Sequence, residues 1–393
     1  MNRAVIITIG IVTILLVLAI WVFLLLFGTP EKPQDIFSDL GIIKSTERDV
    51  SQEGIDTNLT DTALVRVGDT GLQQLTTEAI AGFGIATSGA KDIVRYVETG
   101  TGHIYEIDLV SGVKKQISRT TIPGIVSGVF SPQASVVALI SHLESEAITI
   151  GEIPKNVDVD LQRTLLPLGA RNVAFVDEGT VLYTRSTLQQ TLGYSRSIAD
   201  GVETKLFEIQ VPNMTLVWGG HSADVYAYTK PTEHLEGYAY KIEGDTILPT
   251  TGKGVGFVPV IGDTTMIITA VDAEEKTYRS ALLNQETDSP TAQPLVMLPE
   301  KCTFENKNIA WCGAGYEVPK NTYLEDWYKG VIHPQDALWR INTQSQTATL
   351  IANPEQDAGR PLDITAMSIN TSKDVLLFIN KTDGTLWMYT MTN

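Results

Sequence analysis

The strongest constraint on the fold is a hairpin pattern that recurs along most of the chain. In each hairpin a polar turn separates two short apolar strands, as in GVFSPQASVVALIS and VAFVDEGTVLYT. Successive turns are 39–46 residues apart, except for a last step of 65 residues. A period of about 40–50 residues with several short strands per repeat is typical of a β-propeller. The seven turns lie near Gly89, Pro132, Glu178, Ala223, Gly262, Lys307 and Ser372.

Further strands follow the hairpins. Third strands are predicted at 103–109, 237–243, 336–342 and 385–391, and fourth strands at 113–118, 204–209 and 348–353. The first strands are the more apolar and the fourth strands the more polar, which places the former at the centre and the latter at the rim. The chain is therefore predicted to be all-β, a seven-bladed β-propeller with four-stranded blades. A ring of six or eight blades is the alternative if one hairpin is misassigned.

The last blade takes its outermost strand from the other end of the sequence. The stretch GLQQLTTEAIAGF at 71–83 matches the register of residues 113–130, so Gly71–Thr76 corresponds to a fourth strand with no blade before it. We predict that this segment pairs with Thr385–Met391 and closes the ring. Closure hides strand edges that otherwise invite aggregation. Residues 63–67 are a candidate for a further strand beside it.

Residues 4–27 form an uncharged apolar run without proline. As a helix this run is about 36 Å long, enough to cross a bilayer. Arg3 precedes it and Glu31 and Asp35 follow, so residues 1–3 are expected to be a cytoplasmic tip. A cleaved signal peptide is the alternative, but the run is longer than the usual apolar core of about 7–15 residues and no A-x-A site follows.

The remaining chain divides into an acidic spacer at 28–60 and an extracytoplasmic propeller at 61–393. The net charge is −17, which disfavours binding of nucleic acid through its phosphates. With two cysteines the chain has neither a disulfide framework nor a zinc cluster. The sequence contains no H-E-x-x-H, Walker A, dinucleotide-binding or G-x-S-x-G motif. No metal and no cofactor are therefore expected.

Cys302 and Cys312 lie at equal distances from Lys307 in CTFENKNIAWC. Such positions face each other in a hairpin, with Cα atoms about 4.5–5.5 Å apart. This separation suits a disulfide, and an oxidising exterior permits one. A structural staple is the favoured interpretation, and a redox-active pair is the alternative.

The stretch at 313–336 is the most unusual part of the chain and accounts for the long last step between turns. Its aromatic residues Tyr316, Tyr323, Trp327 and Tyr328 are candidate partner-binding residues, because loops on rigid scaffolds often carry recognition and aromatic side chains dominate interface energetics. Alternatively, this segment folds back and caps one face of the ring with its aromatic side chains buried.

Four segments, at 94–109, 117–125, 298–312 and 326–341, resemble a family of uncharacterised membrane-anchored proteins from candidate-phylum bacteria. The blade pattern is similar to that of TolB-like propellers. FSPQAS stands where that family often has W-S-P-D-G, with Gln133 and Ala134 replacing Asp-Gly. The resemblance covers most of residues 70–393. It implies a propeller in the cell envelope and brings no activity or catalytic residue with it.

The expected function is a non-enzymatic binding or scaffold module for a protein, peptide or glycan, tethered to the membrane. A glycan hydrolase or lyase acting at the channel mouth is one alternative, since aspartates recur at the hairpin turns, although turn chemistry explains them better. An envelope sensor or assembly subunit is the other alternative. The turn aspartates are Asp92, Asp177, Asp224, Asp263 and Asp374.

Overall fold

The computed structural model describes residues 71–391 apart from 89–90, 143–145, 155–158, 219–224, 273, 286, 288 and 318–322. The predicted tip, anchor and spacer at 1–60 lie outside the described residues, as does the candidate strand at 63–67. Among the helices that are described, none is long and apolar enough to span a bilayer.

The described chain forms seven antiparallel sheets of four strands each, which confirms the predicted all-β propeller with seven four-stranded blades. A short strand, β1 (Leu72–Gln74), precedes the first complete blade. Blade 1 contains β2 (Ile80–Ser88), β3 (Lys91–Glu98), β4 (Ile104–Asp108) and β5 (Lys114–Ser118). Blade 2 contains β6 (Ile125–Phe130), β7 (Val136–His142), β8 (Glu146–Glu152) and β9 (Gln162–Leu165). Blade 3 contains β10 (Ala170–Asp177), β11 (Thr180–Ser186), β12 (Thr191–Ser197) and β13 (Glu203–Ile209).

The later blades follow the same order. Blade 4 contains β14 (Thr215–Trp218), β15 (Val225–Tyr228), β16 (Glu236–Glu243) and β17 (Thr246–Val255). Blade 5 contains β18 (Val258–Ile261), β19 (Thr265–Val271), β20 (Tyr278–Asn284) and β21 (Ser289–Gln293). Blade 6 contains β22 (Cys302–Asn306), β23 (Ile309–Ala314), β24 (Ala337–Asn342) and β25 (Thr347–Ala352). Blade 7 contains β26 (Ile364–Ile369), β27 (Val375–Asn380), β28 (Thr385–Thr390) and, outermost, β1. Short helices are a 3-10 turn (Pro299–Lys301), α1 (Tyr323–Tyr328) and α2 (Pro354–Asp357).

The pairing of β1 with β28 closes the ring as predicted. The two strands are antiparallel, and Leu72 lies opposite Tyr389 while Gln74 lies opposite Trp387. Leu72 is buried in a cluster that includes Trp311 of blade 6. The N-terminal strand is thus part of the core that joins blades 6 and 7.

The hydrophobic core is divided among the seven boundaries between blades. At the boundary between blades 7 and 1, Val94 and Tyr96 pack with Leu377 and Leu386. Comparable clusters lie at each of the six remaining boundaries between neighbouring blades. Each sheet therefore buries both faces, which explains why the inner strands do not alternate strictly between apolar and polar residues.

Most fourth strands are exposed, as the prediction of a polar rim requires, but the second strands are more buried than the first: β27 has five buried residues of six, and β6 has one of six. Every residue of β9, a fourth strand, is exposed. At the centre, a Cβ on Gly82 of β2 would lie 2.0 Å from the Gly128 carbonyl oxygen of β6. No side chain fits there, so glycine is required where these two first strands approach.

The predicted disulfide between Cys302 and Cys312 is present. The two residues are register partners on β22 and β23, with Cα atoms 4.2 Å apart. Both are buried among apolar residues of blades 5 and 6, including Val260, Ile267 and Ile341. The bond therefore staples the inner hairpin of blade 6 within the core.

Strand direction defines two faces of the ring. Because neighbouring strands are antiparallel, the first and third strands begin at the same face where the second and fourth strands end. The segment between β23 and β24 lies at this face, which we call the insertion face. The opposite face carries the turns between first and second strands, and we call it the turn face.

Closure by β1 predicts that Leu72→Ala destabilises the whole propeller. Loss of a buried leucine side chain should cost about 2–5 kcal/mol in the free energy of unfolding, measured by denaturant titration. The neighbouring Gln73→Ala is the matched control, because Gln73 is only half-buried and a surface change costs within about 0.5 kcal/mol. Equal losses in the two variants would contradict a closing role for this strand.

Candidate functional site

The helix α1 between β23 and β24 is bound to loops of other blades. Glu233, in the loop between β15 and β16, accepts hydrogen bonds from the Leu324 backbone N–H (3.2 Å) and the Tyr278 hydroxyl (2.9 Å). Glu325 of α1 in turn accepts one from the Thr232 hydroxyl at 3.2 Å. These contacts attach the helix to blades 4 and 5.

Trp327 anchors the same helix to blade 7. Its side chain is 1% exposed, and its indole N–H donates to the two carboxylate oxygens of Asp363 at 2.9 and 3.0 Å. The Lys381 ammonium lies 3.6 Å from the indole ring centroid and donates to the Trp327 carbonyl oxygen. Leu324 and Trp327 also pack against Val258 of blade 5.

A buried ion pair network lies beneath Trp327. The Lys301 Nζ atom is 2.5 Å from Asp336 Oδ2 and 2.7 Å from Asp363 Oδ1, and all three side chains are at most 1% exposed. His333 Nδ1 is 3.1 Å from Asp363 Oδ2. We call Lys301, Asp336, Asp363 and His333 the ionic cluster. It joins residues that precede β22, β24 and β26, all at the insertion face.

The charges of the ionic cluster compensate each other only in part. Burial raises the pKa of Asp336 to about 6, even though Lys301 favours its ionised form. Burial alone would lower the pKa of Lys301, but the carboxylates of Asp336 and Asp363 raise it above its usual value. Lys301 is therefore the cation that holds the two carboxylates in the interior. Asp336 Oδ1 has no hydrogen-bond partner within the described part of the chain.

Glu300 extends the cluster towards Tyr328. Its Oε1 atom accepts a hydrogen bond from the Tyr328 hydroxyl at 2.8 Å, and its Oε2 atom is buried without a partner among the described residues. Burial raises the pKa of Glu300, and burial lowers the pKa of nearby Lys381. Acidic and basic side chains thus have shifted pKa values within one small region of the insertion face.

The four predicted partner-binding aromatic residues divide into two pairs. Trp327 is buried, and Tyr323 packs edge-on against Tyr278 with ring centroids 5.9 Å apart. Tyr316 and Tyr328 remain 58% and 42% exposed. The segment therefore caps part of the insertion face with one pair and presents the other pair to solvent. Whether they contact a partner stays a prediction.

The hairpin-turn aspartates are separate from this region. At the turn face, Asp92 Oδ2 accepts from the Asn370 amide at 2.7 Å, and Asp177 Oδ1 accepts from the Gly179 N–H at 2.8 Å. Asp374 also contacts Asn370. Asp263 lies in the exposed turn between β18 and β19, and Asp224 lies outside the described residues. The contacts seen here are those of turns and of neighbouring blades.

Sequence reasoning did not find the ionic cluster. Lys301, Asp336 and Asp363 come from three separate segments, and no local pattern relates them. The only signal was the position of each charged residue immediately before an apolar strand. Over the ranges that are described, no group of three His, Cys, Asp or Glu side chains is arranged to hold a metal ion.

Comparison with known proteins shows the fold. No protein-family model matches the chain, and no curated protein matches it. An oligogalacturonate lyase from Vibrio parahaemolyticus is 11% identical, with a TM-score of 0.54 over 82% of this chain and 94% of that one. An oligogalacturonate lyase in complex with manganese is 12% identical, with a TM-score of 0.54 over 85% and 96%.

A third similar structure is YCF48 from Cyanidioschyzon merolae. It is 9% identical, with a TM-score of 0.53 over 81% of this chain and 99% of that one. At this level of identity the three similarities establish a shared propeller architecture alone.

The ionic cluster predicts a pH-dependent defect in Lys301→Met. Removal of the cation leaves two buried carboxylates and should cost about 3–5 kcal/mol of unfolding free energy at pH 8. Protonation of a carboxyl whose pKa is raised by folding stabilises the folded state as the pH falls. The Asp336 carboxyl, whose pKa is already about 6 beside Lys301, is mostly protonated at pH 5 and then needs no cation. The loss of unfolding free energy in Lys301→Met should therefore be smaller at pH 5 than at pH 8.

The matched control is Lys329→Met, which removes a lysine from the same insertion. Lys329 is 62% exposed and pairs with Glu325, so its loss should cost within about 1 kcal/mol at either pH. Denaturant titrations of both variants at pH 8 and pH 5 measure the difference. A Lys301→Met variant with the same loss at both pH values would show that the carboxylates are not the cause.

Proposed function

We propose that this protein is a membrane-tethered, extracytoplasmic binding or scaffold module whose insertion face contacts a protein, peptide or glycan of the cell envelope. The observation that carries the proposal is the fixed position of two exposed tyrosines. Contacts to blades 4, 5 and 7 hold α1 and with it Tyr328. Tyr316 packs edge-on against Trp339 of β24, with ring centroids 5.7 Å apart. Rigid aromatic side chains on a fixed scaffold bind with little loss of conformational entropy.

Other exposed apolar residues support the choice of this face. Val331 follows α1 and is 67% exposed, and Leu235 in the loop that contacts α1 is 69% exposed. Like Tyr328, these two residues are large apolar side chains that stay exposed in or beside the segments that hold α1.

Three features support the location outside the cytoplasm. The apolar run at 4–27 has the length of a membrane anchor. The Cys302–Cys312 disulfide is typical of proteins in oxidising compartments. Arg3 before the run favours a cytoplasmic N-terminus.

Photo-crosslinking from defined positions tests the proposed surface. A photo-crosslinking amino acid replaces Tyr316 or Tyr328 in the full-length protein, which is expressed and irradiated in intact cells that retain their cell envelope. Both positions should yield the same discrete crosslinked species. Val202, 59% exposed in the turn between β12 and β13 on the turn face, is the control position and should yield none. A species shared by all three positions, or none at Tyr316 and Tyr328, would reject the proposed surface.

A glycan lyase is a second candidate, because Glu300, Asp336 and Asp363 converge with His333 at the insertion face. The similar oligogalacturonate lyases share the architecture. The arrangement favours binding over catalysis, however. The two aspartate side chains are 0% exposed and are hydrogen-bonded to Lys301 and Trp327, so no substrate reaches them while α1 is in place.

A direct assay separates the two candidates. The purified full-length protein is incubated with oligogalacturonates, with and without manganese, and unsaturated products are measured. The binding proposal expects no product under either condition. Product formation that is lost in His333→Ala, with unfolding behaviour unchanged, would establish the lyase instead.

A further inference from the structure

Leu168 is held in solvent at the tip of a rigid turn between blades 2 and 3. The side chain is 83% exposed. The Ala170 N–H donates to the Pro167 carbonyl oxygen at 3.1 Å, and Gly169 has φ of 82°. Leu168 therefore occupies the second position of a type II turn, where the backbone fixes its direction.

Leu188 occupies the tip of a neighbouring turn and is 97% exposed. The Thr187 N–H donates to the Gln190 carbonyl oxygen at 2.8 Å, and the Thr187 hydroxyl accepts from the Gln190 N–H at 3.2 Å. This turn is likewise fixed by its own hydrogen bonds.

The two turns project from the same end of blade 3. Ala170 of β10 pairs with Arg185 of β11, and the turns extend beyond this pair at the insertion face. Leu165, the last residue of β9, precedes the first turn and is 64% exposed. We call Leu165, Leu168 and Leu188 the leucine tips.

Two arginines accompany the leucine tips. Arg163 on β9 and Arg171 on β10 are both exposed, and neither forms an ion pair with a side chain that the structure describes. The chain as a whole carries a net charge of −17. The neighbouring acidic side chains are occupied, because Glu146 contacts His142 and Glu208 pairs with Lys205. The positive charge of Arg163 and Arg171 beside the leucine tips is thus left for an external partner.

We propose that the leucine tips insert into the headgroup region of an anionic lipid bilayer, with Arg163 and Arg171 close to the lipid phosphates. Apolar side chains beside basic residues bind such membranes through apolar burial and electrostatic attraction together. Lipid is favoured over a protein partner because anionic headgroups complement Arg163 and Arg171, and because lipids rearrange around a single projecting side chain such as Leu188, which polar Thr187 and Gln189 flank.

The proposal rests on the membrane tether of the proposed function. Residues 28–70 separate the predicted anchor from the ring in the sequence. Blades 3 and 6 are three blades apart in a ring of seven, so the leucine tips and the insertion occupy different parts of the insertion face.

A fluorescent probe at Leu188 tests the contact. The two native cysteines form the disulfide, so Leu188→Cys provides the only free thiol for an environment-sensitive dye. The full-length protein is reconstituted into nanodiscs of phosphatidylcholine, alone or mixed with phosphatidylglycerol. We expect a blue shift and protection from acrylamide quenching in the anionic discs. Arg163→Gln with Arg171→Gln should remove the preference for anionic lipid.

Val110→Cys is the matched control, because Val110 is 81% exposed in the turn between β4 and β5 on the turn face. Its probe should behave as in water in both lipids. A Leu188 probe that stays fully quenchable, or that matches the Val110 probe, overturns the proposal. A shift that requires an added envelope protein overturns it in favour of a protein partner.

The membrane tether is tested separately, by measuring whether the full-length protein stays bound to the nanodiscs. If the protein does not stay bound, the membrane tether is rejected. The fluorescence of the same two probes is then measured on the free protein mixed with phosphatidylglycerol vesicles. A blue shift at Leu188 alone would support the lipid contact without the tether, and its absence would reject the contact as well.

Discussion

The antiparallel pairing of β1 with β28 is the interaction on which the propeller depends. Each boundary between blades carries its own apolar cluster, so each blade buries its two faces against two different neighbours. A gap at blade 7 would expose the edge of β28 and uncover residues such as Trp387 and Tyr389. Three paired residues near the start of the domain thus complete a core that is distributed around the whole ring.

The insertion is attached to this ring by charge as well as by apolar contact. Lys301 pairs with Asp336 from the insertion inside blade 6 and with Asp363 from the segment before blade 7, and Trp327 is hydrogen-bonded to Asp363. Buried ion pairs contribute little net stability compared with apolar packing, but they strongly disfavour alternative arrangements that leave a charge unpaired. In this protein the ionic cluster lies beneath α1 and contacts it through Trp327, whose indole ring centroid is 5.0 Å from the Lys301 ammonium.

The sequence was sufficient to predict the features that repeat or that depend on local spacing. The seven hairpins follow from alternating apolar strands and polar turns, ring closure follows from the register of Gly71–Thr76, and the disulfide follows from the symmetric placement of Cys302 and Cys312 about a turn. The ionic cluster could not be predicted, because Lys301, Asp336 and Asp363 meet only after three segments have folded.

The aromatic residues of the insertion show a similar limit. The sequence placed Tyr316, Tyr323, Trp327 and Tyr328 in one group of candidate binding residues. Which of these side chains are buried depends on partners such as Glu233 and Asp363, which lie in other blades.

The backbone of Ala134 gives a further example, because its φ of 49° lies in the left-handed region that favours glycine. Its backbone conformation depends on the hairpin around it, and the residue type alone does not reveal it.

The position of β1 also has a mechanical consequence. In the proposed anchored protein, a pulling force along the N-terminal tether first meets the ring at Leu72–Gln74. The load is then carried by a ladder only three residue pairs long, backed by the side chain of Leu72 in its cluster. Separation of β1 from β28 would open blade 7 and the ring, while the Cys302–Cys312 disulfide would still hold the inner hairpin of blade 6 together.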